Sequence, residues 1–388
     1  MASGKQPARI LVFRGGALGD LLLTLPTLDA LRRRFLGAQI ELVGYERSAV
    51  IALASGLVDR LRSLDSARMA LYFQDREKLP PEEQEYIRSF DLVISFMHDP
   101  GNVLLKNLEQ AGAPEVVAVS PLVSGGHAAD HFLGAIAPVI GRGIEEPKTS
   151  IKTISHFIKC DYERLVRRNQ YLLKRTCALK EKACMRMFAD KHARKTVSGK
   201  VSYLIKCDCE PKGKYDLFRL AWPDKLKAKA RRRMEKFLSG KKMIVIHPGS
   251  GSPVKNWPAE KFIELAKKIN SGAKYKAVIM GGEADEKAIA PMRELMPGEK
   301  FIINAPLANA ASVIASAAGY VGNDSGITHM AALLGVPSVA LFGPTDPAVW
   351  APRGVNVAVI SGKGGRLDAI GVEEVYARII ALMEKIKQ

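Results

Sequence analysis

The stretch Arg9-Ile-Leu-Val-Phe-Arg14-Gly15-Gly16-Ala-Leu-Gly19-Asp20-Leu-Leu-Leu-Thr24-Leu-Pro26 decides the fold. The apolar run Ile10 to Phe13 has the length of a buried strand, and the glycines after it permit a tight turn with close backbone approach. From Asp20 the pattern becomes helical, with Leu21, Leu25, Leu28 and Leu31 on one face. That order places a carboxylate at a helix N-terminus, on the C-terminal edge of a parallel sheet, where open α/β folds bind ligands. The turn is not G-x-G-x-x-G, and a helix end already holding an acid is a poor seat for a pyrophosphate. Asp20 reads either as a plain helix cap or as a general base.

Working outward, the first part of the chain alternates short apolar runs with helical patterns. Gln39 to Gly44, Asp91 to Phe96 and Val116 to Val119 are further strands, and a helix is expected from Ser48. The scheme repeats from about Leu220, with strands at Met243–His247, Ala277–Met280, Tyr320–Gly322 and Pro337–Phe342. Helical patterns fill 259–269, 308–318 and 327–334, and a last helix is expected over 372–387. Alternation of this kind means βαβ units around parallel sheets. We expect an α/β protein of two doubly wound, Rossmann-like domains facing a cleft: 1–147, and 219–388 with a terminal helix.

Between them lies a basic segment, 148–218, read as a mainly helical insertion. Residues 161–195 contain no Pro or Gly, and Leu165, Leu172, Leu179, Ala183 and Met187 form a narrow apolar stripe. Lys200 to Lys206 alternates like a strand. The charge is as uneven as the pattern. The chain's 388 residues carry 58 Lys/Arg against 40 Asp/Glu, a net +18. Between Lys148 and Lys242 the count is 28 against 9, a balance of +19, so the rest (30 against 31) is neutral to within one charge. A local positive field suits an anionic partner or surface. A solvated basic helix with no partner is the plainer alternative.

With 47% hydrophobic and 25% charged residues the composition is globular rather than disordered. No apolar run approaches the roughly 18–20 residues that span a bilayer. The first residues lack the apolar stretch of a signal peptide, so a cytoplasmic protein is expected. Five cysteines, with Cys207 and Cys209 too close for a zinc knuckle, suggest neither a disulfide framework nor a structural metal.

Three strand ends of the second half carry chemistry. His247-Pro-Gly-Ser250-Gly-Ser252-Pro-Val-Lys255-Asn-Trp257-Pro258 has small residues, two hydroxyls and a lysine that suit a phosphate, although a plain strand–helix connection would read similarly. Glu283, after the Gly281-Gly282 turn, suits ribose hydroxyls or a base, or is a simple surface acid. In Gly322-Asn-Asp324-Ser325-Gly326-Ile-Thr328-His329, Asp324 or Ser325 would cap a helix, while Ser325, Gly326 and Thr328 would offer donors to an anion. His329 lies one turn in, and alone it would pass for a core histidine. Phe342-Gly-Pro-Thr345 closes the next strand.

These motifs together resemble glycosyltransferase family 9, the heptosyltransferases, over about 8–147 and 218–388. The resemblance rests on Gly19-Asp20 with Thr24-Leu-Pro26, on Lys255-Asn-Trp257-Pro258, and on Asp324-Ser-Gly-Ile-Thr-His329 followed by Phe342-Gly-Pro-Thr345. It implies a GT-B fold and an inverting transfer of heptose from ADP-heptose to the lipopolysaccharide inner core, with no bound metal and no cofactor. It further implies Asp20 as the catalytic base and Lys255 with Ser250 and Ser252 as the diphosphate clamp. Glu283 would contact the nucleoside, and Asp324, Ser325, Gly326, Thr328 and His329 would form the donor turn. Gly16, Gly19, Thr24 and His127 (with His131 nearby) fall on the acceptor side. The implied partners are the nucleotide sugar and an anionic lipid-linked saccharide, with an anionic membrane surface docked through the insertion and no specific nucleic acid. A peripheral place at the inner face of the cytoplasmic membrane follows. The alternatives are a family member using another sugar or acceptor, and a non-catalytic relative that binds acidic lipid or nucleic acid through the insertion.

Overall fold

The computed structural model describes residues 7–75, 78–123, 125–141, 193–195, 201–205 and 218–385. The chain divides into two compact units, Met1–Gly15 with Thr24–Ala49 and Leu57–Asp216, and Gly16–Leu23 with Val50–Gly56 and Leu217–Gln388. Each is built around its own sheet.

The first sheet contains β1 (Arg9–Arg14), β2 (Gln39–Gly44), β3 (Arg60–Ser63), β4 (Leu92–Ser95), β5 (Val116–Val119), β6 (Ala193–Lys195) and β7 (Val201–Ile205). Their order is β3-β2-β1-β4-β5-β7-β6, parallel except for β6 on the edge. Ile10, Leu11, Val12 and Phe13 are fully buried, as expected of a central parallel strand covered on both faces. Helices α1 (Leu18–Arg34), α2 (Glu46–Ala54), α3 (Pro81–Arg88), α4 (Val103–Ala111) and α5 (Ala128–Ala135) occupy the gaps between strands. The helix after the glycine turn starts at Leu18, so Asp20 sits in its first turn. Leu22, Leu25, Leu28, Leu31, Thr24 and Thr27 are all buried, which makes α1 a core helix rather than a one-faced surface helix.

The second sheet is wholly parallel: β8 (Lys242–His247), β9 (Tyr275–Gly281), β10 (Lys300–Ile303), β11 (Gly319–Asn323), β12 (Ser338–Phe342) and β13 (Val357–Ser361), in the order β10-β9-β8-β11-β12-β13. The strand order reverses between β8 and β11, so the C-terminal ends of these two strands define a switch point, the usual ligand crevice of such sheets. The helices are α6 (Asp224–Leu238), α7 (Ala259–Ser271), α8 (Glu286–Leu295), α9 (Leu307–Ala315), α10 (Gly326–Leu333) and α11 (Val372–Lys385). Trp257 is buried in the core of this sheet, edge-on to Phe262 at 4.9 Å between ring centroids, and its indole N–H donates to Ile370 O at 3.2 Å.

Two features depart from the sequence reading. Edge strands β3, β10 and β13 are not anticipated: each is short and partly exposed, and β3 also carries two arginines in its four residues. The helical pattern over 161–195 gives way at its end to β6, which pairs antiparallel with β7. The expected strand at Lys200–Lys206 is β7, and it extends the first sheet beside β5. The remainder of the 148–217 stretch, with all five cysteines, lies outside the described residues. Among the described residues no helix is long and apolar enough to cross a membrane, and no group of three or more His, Cys, Asp or Glu side chains could hold a metal ion.

Candidate functional site

The glycine turn is closed by the acid that follows it. Asp20 Oδ2 accepts the Ala17 N–H at 2.8 Å. Gly16 has φ of 92°, and a Cβ there would come within 2.6 Å of the same oxygen, so only glycine fits. In the same unit, a Cβ on Gly326 would approach Leu18 Cβ to 2.9 Å and Gly19 N to 3.0 Å. The backbone of the first glycine turn therefore lies against the first residue of α10.

The turn after β11 is organised by a shared carboxylate. Lys255 Nζ donates to Asp324 Oδ2 at 2.9 Å, and Thr345 Oγ donates to the same oxygen at 2.7 Å. The Asp324 side chain is 8% exposed and that of Lys255 31%, so the lysine is the half of the pair still open to solvent. The helix cap falls on Ser325, whose Oγ accepts the Thr328 N–H. This corrects the expectation that Asp324 might cap. Asp324 instead gathers residues from the loops after β8 and β12.

Thr328 also differs from its expected part as an anion donor. It is fully buried, and its hydroxyl is engaged with Asn323 O, with Tyr320 Oη at 3.0 Å and with Ser325 Oγ at 3.1 Å. Burial makes any other use of that hydroxyl costly, so Thr328 is a post inside the turn. His329 is 6% exposed in the first turn of α10. Ser250, also buried, lies 2.6 Å from Ser252 O and 2.7 Å from Asn256 Oδ1 and accepts the Ser252 N–H, so it shapes the loop. Ser252, half-buried, and Gly251, exposed, form the accessible part of that loop.

Two residues that the motifs did not single out hold the site together. Asn323, completely buried, accepts the Trp257 N–H at 3.0 Å and donates to Pro248 O at 2.7 Å, fastening the β8 loop to the end of β11. Asp285 Oδ2 lies 3.2 Å from His247 Nε2 and accepts the Gly282 N–H at 2.7 Å, joining the β8 loop to the turn that carries the exposed Glu283. Gly249 packs on this carboxylate so closely that a Cβ would stand 1.8 Å from Oδ1. A polar residue at each strand end is the only sequence signal for these contacts; which strand ends meet depends on the sheet order.

Burial opposes the Asp285 carboxylate, but the His247 ring and the Gly282 N–H outweigh it and hold its pKa below the ordinary value. A depressed carboxyl contributes stability that is complete above its unfolded pKa, about 3.9, and is lost as the pH falls through the lower folded value. We expect Asp285→Asn to flatten the acid side of the stability profile below about pH 4. Urea midpoints across that range would measure it, and an unchanged acid limb would remove Asp285 from the account.

Of the residues expected on the acceptor side, Thr24 is buried within α1 and His127 is the cap of α5, its Nδ1 accepting the Ala129 N–H at 3.2 Å. His131 Nε2 lies 2.7 Å from Ser120 O. Both histidines are buried in the first unit.

Residues 209–374 match the model of glycosyltransferase family 9 (heptosyltransferase). A lipooligosaccharide heptosyltransferase 2 from Haemophilus influenzae is 31% identical over 130 residues, covering 32% of this chain and 37% of that protein. A lipopolysaccharide heptosyltransferase 2 from Salmonella typhimurium is 34% identical over 130 residues, covering 31% and 37%. The chain thus spans little more than a third of the length of these relatives in alignment. A glycosyl transferase family 9 structure from Veillonella parvula superposes with a TM-score of 0.67 at 18% identity, over 99% of this chain and all of the other. The E. coli ADP-heptose lipopolysaccharide heptosyltransferase II gives 0.65 at 16% identity, over 98% and 100%. At such identities the likeness is one of fold, and it is the expected fold of two doubly wound α/β domains.

Proposed function

We propose that the chain, whose residues 209–374 match the model of glycosyltransferase family 9 (heptosyltransferase), is an inverting glycosyltransferase. The donor is a nucleotide-diphosphate sugar, ADP-heptose, and the acceptor is the lipopolysaccharide core or a similar anionic lipid-linked saccharide. The observation that carries this reading is the Lys255–Asp324–Thr345 cluster at the β8/β11 switch point, beside the N-terminus of α10.

The chemistry runs as one displacement. The acceptor hydroxyl oxygen forms a bond to the anomeric carbon while the bond from that carbon to the diphosphate oxygen breaks, the electron pair leaving with the nucleotide. Asp20 takes the hydroxyl proton, a contribution typically of 10²- to 10⁴-fold. Lys255 keeps donors free beyond the one given to Asp324, and with the positive end of α10 it balances the charge that grows on the diphosphate. On this reading the reaction needs neither a bound metal nor a cofactor. Ser252 and the Gly251 backbone approach the phosphates, Ser250 shapes their loop, and Glu283 faces the nucleoside. Ser325, Gly326 and His329 line the donor turn, and Thr328 supports it. Gly16 and Gly19 bring Asp20 to the acceptor, and Thr24 and His127 brace that side. A lipid-linked acceptor places the protein in the cytoplasm, at the inner face of the membrane.

A thermal-shift panel of ADP-heptose, UDP-glucose, GDP-mannose and free ADP tests the donor. A tight donor at 100 times its Kd adds about 2.7 kcal/mol of stability. ADP-heptose is expected to give the largest shift; a larger shift with another sugar nucleotide would replace the donor, and none at all would sink the reading.

A further inference from the structure

The charge excess of this chain is not confined to the segment outside the described residues. Residues 219–242 hold ten Lys/Arg against two acids, a balance of +8 out of the +19 between 148 and 242. Most of it lies on α6, Asp224-Lys-Leu-Lys-Ala-Lys-Ala-Arg-Arg-Arg-Met-Glu-Lys-Phe-Leu238.

One face of α6 is committed to packing. Ala230, Met234 and Leu238 are buried, α6 lies along α9, and the preceding Trp222 donates its indole N–H to Ser312 of α9 at 3.1 Å. On the opposite face Lys225, Lys229, Arg232 and Lys236 recur at steps of four, three and four residues. At about 100° per residue they fall within an arc of roughly 60°, centred away from the buried stripe. Along the axis they run for about 16 Å. All four are exposed, and among the described residues none has a carboxylate within ion-pairing distance. The acids of α6 are elsewhere: Asp224 is paired with Lys227, and Glu235 lies on the flank.

Such a row works against the helix, since like charges four apart destabilise it by a few tenths of a kcal/mol per pair. It is repaid when a polyanion meets all four together. We propose that this face of α6 is a docking surface for an anionic lipid bilayer, in addition to any role of the 148–218 segment. Shape favours a plane over a nucleic-acid groove. A helix that reads a major groove must enter a channel about 12 Å wide, whereas α6 is seated on α9 through the face of Ala230, Met234 and Leu238 and presents only its outer face. The choice of a bilayer among flat anionic surfaces rests on the lipid-linked acceptor proposed above.

The test uses the full chain and sedimentation with vesicles of phosphatidylglycerol and phosphatidylcholine in equal parts, against vesicles of phosphatidylcholine alone. The four-fold variant Lys225→Gln, Lys229→Gln, Arg232→Gln, Lys236→Gln keeps helix propensity. At about fivefold per basic side chain near the surface, vesicle affinity should fall on the order of 10²- to 10³-fold. A control of equal charge change elsewhere, Lys106→Gln, Lys267→Gln, Lys287→Gln, Lys300→Gln, should bind nearly as wild type. Equal loss in both variants would show a net-charge effect and overturn the proposal. So would full retention in the α6 variant, or a loss confined to binding of an RNA duplex. Matching thermal midpoints verify folding; if the α6 variant melts early, single Gln substitutions at the four positions replace it, each expected to cost about fivefold. Turnover of a soluble, lipid-free acceptor should be unchanged by the α6 variant. Vesicle binding that depends on α6 in a protein that turns over no sugar nucleotide would refute the transferase reading while leaving this surface standing.

Discussion

Asp20→Asn is expected to lower sugar transfer by about 10²- to 10⁴-fold, the range for losing a positioned general base, with donor binding near wild type. The variant is chosen because Asp20 has two jobs to separate. Its Oδ2 closes the glycine turn through the Ala17 N–H, and an asparagine oxygen can accept that bond equally well. Asparagine cannot take a proton from an attacking hydroxyl. Asp20→Ala removes both functions and should add the loss of a cap, typically about 1 kcal/mol of stability. Single-turnover rates and donor-induced thermal shifts on both variants decide the matter. If Asp20→Asn turns over normally while Asp20→Ala does not, the carboxylate is a turn fastener and the base lies elsewhere.

Lys255→Met should cost about 10²- to 10³-fold in kcat, comparable to deleting one donor that stabilises a developing anion. It also strands a carboxylate. Asp324 would keep Thr345 as a donor but lose its cation. With the lysine partly exposed, the stability cost should fall between the roughly 1 kcal/mol of a surface pair and the ~3–5 kcal/mol of a buried one. The double variant Lys255→Met, Asp324→Asn distinguishes the two consequences. It should recover stability, because no buried charge is left unpaired, and it should remain inactive. Recovery of turnover along with stability would mean that Lys255 serves only to neutralise Asp324.

The parts of the fold legible in the sequence were those where neighbours along the chain determine the outcome. Ile10 to Phe13 and Met243 to Ile246 are apolar on both faces, as central parallel strands must be. Edge strands such as Arg60–Ser63 are not legible, because part of their surface meets water and relaxes the pattern. At the site, Lys255, Asp324 and Ser325 could be picked out from loop composition. Their assignment within the turn could not, and neither could the inward use of Thr328, since each depends on a partner distant in sequence: Lys255 to Asp324 spans 69 residues. The ties made by Asn323 and Asp285 are illegible for the same reason. A polar residue after a strand looks alike whether it binds a ligand or ties two loops together.

The sequence by itself determined the parallel cores of the two sheets, the glycine turn before Asp20 and the clustering of basic charge, because each follows from residue spacing, backbone freedom or simple counting. Only the tertiary structure decided that Asp324 gathers Lys255 and Thr345 while Ser325 caps α10, and that part of the positive charge stands as one row on α6. The physical reason is the strand order. It brings the ends of β8, β11 and β12 together and seats α6 on α9, and hydrogen bonds of about 3 Å form only between groups so assembled.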